Sequence, residues 1–203
     1  MNMLSVDFSS LYFGTPVALL STRNPDGTTN LSPISSWWIL DNSLMIGLAT
    51  VNQCYENIAN HPEIVLNIPD ARLWRNIEAI AATSAKTPLP TQKKKMGYGF
   101  EKDKFSRSRL NEVGSICVSP GSVKECPVKI EARMIRQMPL GESGEELAAM
   151  EARILRVHIA EELLGSRCGN PRFLVEKWQP LYYIFRHYYS VGERLGENFR
   201  CDN

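Results

Sequence analysis

The spacing of apolar and polar positions divides the chain into a patterned N-terminal third, an irregular middle and a patterned C-terminal part. The run 16–22 (Pro-Val-Ala-Leu-Leu-Ser-Thr) reads as a buried strand, and Asn24-Pro25-Asp26-Gly27 after it is turn chemistry. A second strand over 28–32 completes a hairpin. Residues 44–49 are almost entirely apolar, which predicts a third strand covered on both faces. Tyr55, Ile58 and Ala59 recur at helical spacing within 52–60, a short helix that stops before Pro62. A fourth strand over 63–68 ends at Pro69-Asp70.

Leu73, Trp74, Ile77 and Ile80 share one face of a predicted helix over 73–82. From 83 to 122 no period is sustained; Pro88, Pro90, Lys93-Lys94-Lys95, Gly97 and Gly99 predict a long excursion with short helical pieces, of the kind that is usually functional or mobile. Strict alternation returns over 128–134 as a strand with one face on the core. Residues 153–160 predict another, with Leu155, Val157 and Ile159 on one side, and 140–146 a turn between the two. A last aromatic strand covers 181–189, followed by a tail holding Gly192 and Gly196. Six or seven mainly sequential strands with few helices predict a mainly β fold. The architecture expected is a closed antiparallel, Greek-key-like barrel with peripheral helices. No internal repeat or linker interrupts the pattern, so one domain is expected over 1–203.

Composition narrows the function. At 203 residues with 43% hydrophobic and 22% charged positions, the chain can bury a core without staples. The 23 Lys and Arg against 22 Asp and Glu give a formal charge of +1, which argues against a nucleic-acid binder and against intrinsic disorder. The N-terminus shows no basic region followed by an apolar run, and no stretch approaches the ~18 apolar residues of a spanning helix. The five cysteines are odd in number and form no Cys-x-x-Cys pair; reduced thiols in a cytoplasm are expected. Walker, Gly-x-Ser-x-Gly and His-Glu-x-x-His motifs are absent, and His61, His158 and His187 are scattered, so no metal site or catalytic side chain is assigned.

Chemistry concentrates in 30–38 (Asn-Leu-Ser-Pro-Ile-Ser-Ser-Trp-Trp) and in 50–55 (Thr-Val-Asn-Gln-Cys-Tyr). Hydroxyls, irregular backbone and large aromatics suit a planar hydrogen-bonding ligand, and the helix start at 52 favours a phosphate. Ordinary turns and a buried Trp pair would use the same residues. Between Lys93 and Arg109 lie seven basic and two acidic residues, which suit either a solvated loop or a flap that attracts anions. The aromatic cluster 182–189 suits core or an interface, with Arg186 and His187 placed to reach a cofactor phosphate or substrate if that strand crosses the site.

At these residues the chain resembles the flavin reductase-like family of FMN-binding split barrels. The likeness runs over 15–70, through Asn-Leu-Ser-Pro-Ile-Ser-Ser-Trp, the apolar strand, Gln-Cys-Tyr-Glu-Asn-Ile and Ile-Val-Leu-Asn-Ile-Pro. Glu125-Cys126-Pro127-Val128 and Arg186-His187-Tyr188-Tyr189 extend it. The resemblance implies an FMN-binding flavoprotein that takes electrons from NADH or NADPH, or alternatively a flavoredoxin-like carrier without pyridine-nucleotide turnover. A non-flavin small-molecule-binding barrel is the remaining alternative. It implies that Ser32, Ser35, Ser36 and Trp37 line the flavin ring, that Ala49 and Thr50 end a strand against it, and that Asn67 helps close the site. Gln53, Cys54 and Tyr55 would meet the phosphate and ribityl chain; Cys54 stands where many relatives carry Ser or Thr, and a thiol is a weaker donor. Homodimers with sites near the interface are implied as well.

Overall fold

A computed structural model describes residues 2–7, 11–141, 146–167 and 169–198. Cys168, Cys201 and the centre of the expected 140–146 turn lie outside the described residues. Seven strands build the main sheet: β1 (Ala18–Arg23), β2 (Thr29–Ile34), β3 (Trp37–Leu40), β4 (Ser43–Ala49), β5 (Glu63–Ile68), β6 (Val128–Leu140) and β7 (Leu147–Ile159). Their spatial order is β2-β1-β5-β6-β7-β4-β3, antiparallel throughout.

The two edge strands, β2 and β3, are neighbours in sequence, joined only by Ser35-Ser36. The sheet therefore curls until its edges meet at one corner. The closed barrel expected from sequence is not formed, because among the described residues no ladder pairs β2 with β3. Ser35-Ser36 lacks the positive-φ residues of a two-residue hairpin, and the Ser36 carbonyl instead accepts a hydrogen bond from Gly47 of β4 at 2.7 Å. Gly47 suits this close approach, since a Cβ would stand 3.1 Å from the Ser36 Cβ, tighter than side chains ordinarily pack.

Alternation assigns the two faces. Leu20, Leu44, Ile46, Leu48, Ile64 and Leu66 point inward with Ile130, Ala132 and Met150 to fill the barrel. Each large buried aliphatic contributes roughly 1.5–3 kcal/mol. Val17, Leu19 and Leu31 point outward, where helix α2 (Trp74–Ala81) covers them with Ile77 and Ile80. On β4 only the inner face is buried, not both as expected, and Met45 joins an exposed outer band. Helix α1 (Gln53–Asn60) packs Cys54 and Ile58 into the barrel core and ends at His61 before Pro62.

Two further expectations are corrected. A register shift opposite Glu131/Ala132 leaves Leu155 without a ladder partner. Ile154, beside the bulge, packs on the core in place of Leu155, which is 41% exposed, while Val157 and Ile159 stay on one side opposite Ile130 and Val128, Val157 remaining 48% exposed. The single strand expected over 181–189 is a hairpin, Tyr182–Ile184 against His187–Tyr189, whose turn residues Phe185 and Arg186 have φ of 42° and 68°. No Gly, Asn or Asp advertises that turn.

The excursion over 83–122 docks on the barrel through short pieces. Helices α3 (Thr91–Lys95) and α4 (Lys104–Ser108) are the main ones, and α4 is capped by Asp103, whose carboxylate accepts from the Ser106 N–H at 3.0 Å. Asn76 of α2 donates to the Ser108 carbonyl at 2.8 Å and ties α4 to the outer layer.

Candidate functional site

The N-terminus of α1 opens into a cleft of about 70 Å³ between the end of β2 and the excursion. That volume is about two waters' share of the liquid, roughly 30 Å³ each, or one small oxyanion. Ser32, Gln53 and Cys54 line it, and the excursion supplies Ser84, Lys93, Tyr98 and Lys104. Among the described residues no acidic side chain lines the cleft.

Lys93 and Lys104 are 8% and 4% exposed, and among the described residues neither is in an ion pair. Buried ammonium groups without a counter-charge are costly unless something anionic meets them. Burial above all brings the Lys104 pKa down to about 8, with Cys54 and Glu101 opposing the shift and the neighbouring Lys93 charge adding to it. Burial also lowers Lys93, whose Nζ lies 3.5 Å from the Ser84 hydroxyl and 5.0 Å from the centre of the Tyr98 ring. The Cys54 thiol, raised by burial, touches the Ser32 hydroxyl. Asn52 precedes the helix without capping it through its side chain, so the first-turn N–H groups stay available to a ligand.

A buried amide network holds the lining in place. Gln53 Nε2 donates to Asn57 Oδ1 at 2.9 Å, and Asn57 Nδ2 donates to Thr22 Oγ1 and Asn24 Oδ1. Asn30 Nδ2 bonds Ser32 Oγ at 3.1 Å, while its fully buried Oδ1 has no partner. Ser32 and Gln53 are thus fixed from behind.

Of the residues expected at the site, the structure brings Ser32, Gln53 and Cys54 together. Ser35, Ser36 and Trp37 continue from them along the seam, and Trp37 Nε1 donates to the Pro16 carbonyl at 2.9 Å. Ala49 and Thr50 lead into α1 without lining the cleft; the Ala49 carbonyl accepts from Asn52 N–H at 3.0 Å. The Tyr55 ring packs on the barrel core. Asn67 is on the opposite face of β5, where its amide bonds the Leu19 carbonyl, Ser21 Oγ and the Val123 N–H. Those bonds consume its polar atoms and keep it out of the cleft.

Lys93 and Lys104 were not singled out by pattern. Consecutive helical residues point about 100° apart, so Lys93 turns inward while Lys94 and Lys95 stay exposed; Lys104 lies outside that run. Among the described residues no cluster suits a metal ion, and no helix is long and apolar enough to cross a membrane.

Residues 9–192 match the model of the flavin reductase like domain, so the chain belongs to that family. It is 38% identical over 193 residues to YdfE of Bacillus subtilis, an uncharacterized protein, covering 95% of this chain and 91% of that one. Its fold is similar to that of flavoredoxin from Desulfovibrio vulgaris, with a TM-score of 0.78 at 22% identity and full coverage of both chains. A Shewanella frigidimarina protein with a split barrel domain superposes with a TM-score of 0.69 at 16% identity, over 91% of this chain and 85% of that one.

Proposed function

We propose that the chain is an FMN-binding oxidoreductase that takes electrons from NADH or NADPH. The observation that carries the reading is the pair of buried, unpaired lysines facing the N-terminus of α1 in a cleft without acids. This charge and size suit a phosphate monoester at the end of a ribityl chain. Lys93 and Lys104 would neutralise the phosphate, while the Ser32 hydroxyl and first-turn N–H groups donate to it. Ser35, Ser36 and Trp37, next along the chain, would border the ring. Family membership supports a flavin rather than another phosphate ester.

A bound flavin supplies a hydride acceptor that can release electrons singly or in pairs. The protein's part is to hold and orient it, and the docked excursion keeps water from the phosphate end. We also assign a second copy of the chain to the outer face of β3, β4, β6 and β7. Trp38, Leu40 and Met138 are 55%, 69% and 58% exposed there, large apolar side chains gathered on one face.

The deciding experiment is a visible spectrum after incubation with FMN and desalting, with riboflavin as the control, followed by NADH and NADPH oxidation. We expect FMN to travel with the protein, riboflavin to be lost, and at least one donor to be turned over. Loss of FMN overturns the cofactor reading. Retained FMN with neither donor oxidised overturns the reductase part.

A further inference from the structure

A second, larger recess lies on the other side of α2. It has a volume of about 1010 Å³ and is walled by the start of α2, the 177–181 segment and the C-terminal hairpin. That is the size of a drug- or nucleotide-sized site. Its chemistry is cationic and aromatic. Arg72, Lys177 and Arg186 line it, with Trp74 and Tyr188 between them. The two acids that face it are both engaged: Asp70 holds Arg72 Nε at 2.8 Å, and Glu78 accepts from the Tyr188 hydroxyl at 2.9 Å. Among the described residues Lys177 and Arg186 are in no ion pair. His187 Nδ1 is tied to the Phe185 carbonyl at 2.8 Å, which leaves Nε2 for a ligand. Arg75, which does not line the recess, covers Trp74 at 4.4 Å from the ring centre, and Tyr188 lies tilted beside the indole at 6.2 Å, so the two rings border the recess together with Trp74 37% exposed.

The recess adjoins the seam. Trp37 Nε1 bonds the Pro16 carbonyl, and the next residue, Val17, donates its N–H to the carbonyl of Leu181 in the recess wall at 2.8 Å. Two hydrogen bonds therefore separate the proposed ring region from this wall. We propose that the recess holds the adenosine-diphosphate half of the pyridine dinucleotide donor. Lys177 and Arg186 meet the phosphates, Trp74 stacks on the adenine, and Glu78 accepts from a ribose hydroxyl. This rests on the donor reading above, since it names where that donor is anchored.

The test uses ADP-ribose, which lacks the nicotinamide, titrated into FMN-loaded protein with tryptophan fluorescence and calorimetry as readouts. ADP-ribose should bind and compete with the donor. Lys177→Met with Arg186→Gln, and separately Trp74→Leu, should each raise its dissociation constant and the donor KM about tenfold or more, the loss of one or two charged or stacked contacts. FMN affinity and kcat should stay as in the wild type. Absence of ADP-ribose binding, binding indifferent to these substitutions, or an unmoved donor KM overturns the proposal. FMN retention is measured first. If it fails, the cofactor reading falls, while the ADP-ribose titration of the flavin-free protein still decides what the recess binds.

Discussion

Lys104 carries an ammonium almost out of solvent, beside a thiol, a hydroxyl and a second ammonium, and among the described residues it is in no ion pair. Replacing it by Met should weaken FMN binding about 10- to 100-fold, the worth of a charged hydrogen bond, and leave riboflavin binding unchanged. Equal losses for both ligands in a binding titration would show that Lys104 does not meet the phosphate. The same group sets a pH dependence. Its folded pKa of about 8 lies below the ordinary 10.5, so above pH 8 the flavin-free site loses the Lys104 charge and FMN affinity should fall. Stability of the flavin-free protein moves the other way. The unfolded chain holds the extra proton between the two values, so the burial penalty is relieved as pH rises through that window. Sequence pattern reached Ser32, Gln53 and Cys54 because a strand end and a helix start announce themselves. It reached the lysines only as members of the basic stretch 93–109, because spacing does not say which of them turn inward.

Strands β1 and β5 and helix α1 are legible nearly to the residue, since short apolar runs, turn residues and proline stops fix them locally. The C-terminal hairpin is not, because Phe185 and Arg186 adopt left-handed backbone without the residue types that favour it. Asn67 shows the same limit at the level of contacts. Its place in Leu-Asn-Ile looked like a site position, yet its amide ties β5 to β1 and to Val123. Asn67→Leu should therefore destabilise the fold by about 2–4 kcal/mol, the toll of leaving a buried N–H and carbonyl unmet. Denaturant unfolding would measure this, and FMN affinity of the folded fraction should be unchanged. A stable variant with weakened FMN binding would return Asn67 to the site.

On the scale of the whole molecule the unexplained surface is the band around Trp38, Leu40 and Met138. Edge strand β3 is left open beside it, which ordinarily invites pairing or coverage. The wild type should sediment as a dimer, and Trp38→Asp with Leu40→Asp should give a folded monomer. A monomeric wild type, or a variant that still dimerises, would assign the band elsewhere.

The seam at Ser35-Ser36 also bears on how the chain comes off the ribosome. The first five strands include both edges of the sheet, yet β4 and β5 meet only through the β6–β7 ribbon. The contact from Ala49 to Leu147 spans about a hundred residues, a separation that slows folding. Until that ribbon is synthesised, the N-terminal strands hold the inward halves of a core they cannot close. The nascent protein is thus an open sheet for most of its synthesis, and its two outer hairpins wait for the central one to draw them into a cylinder.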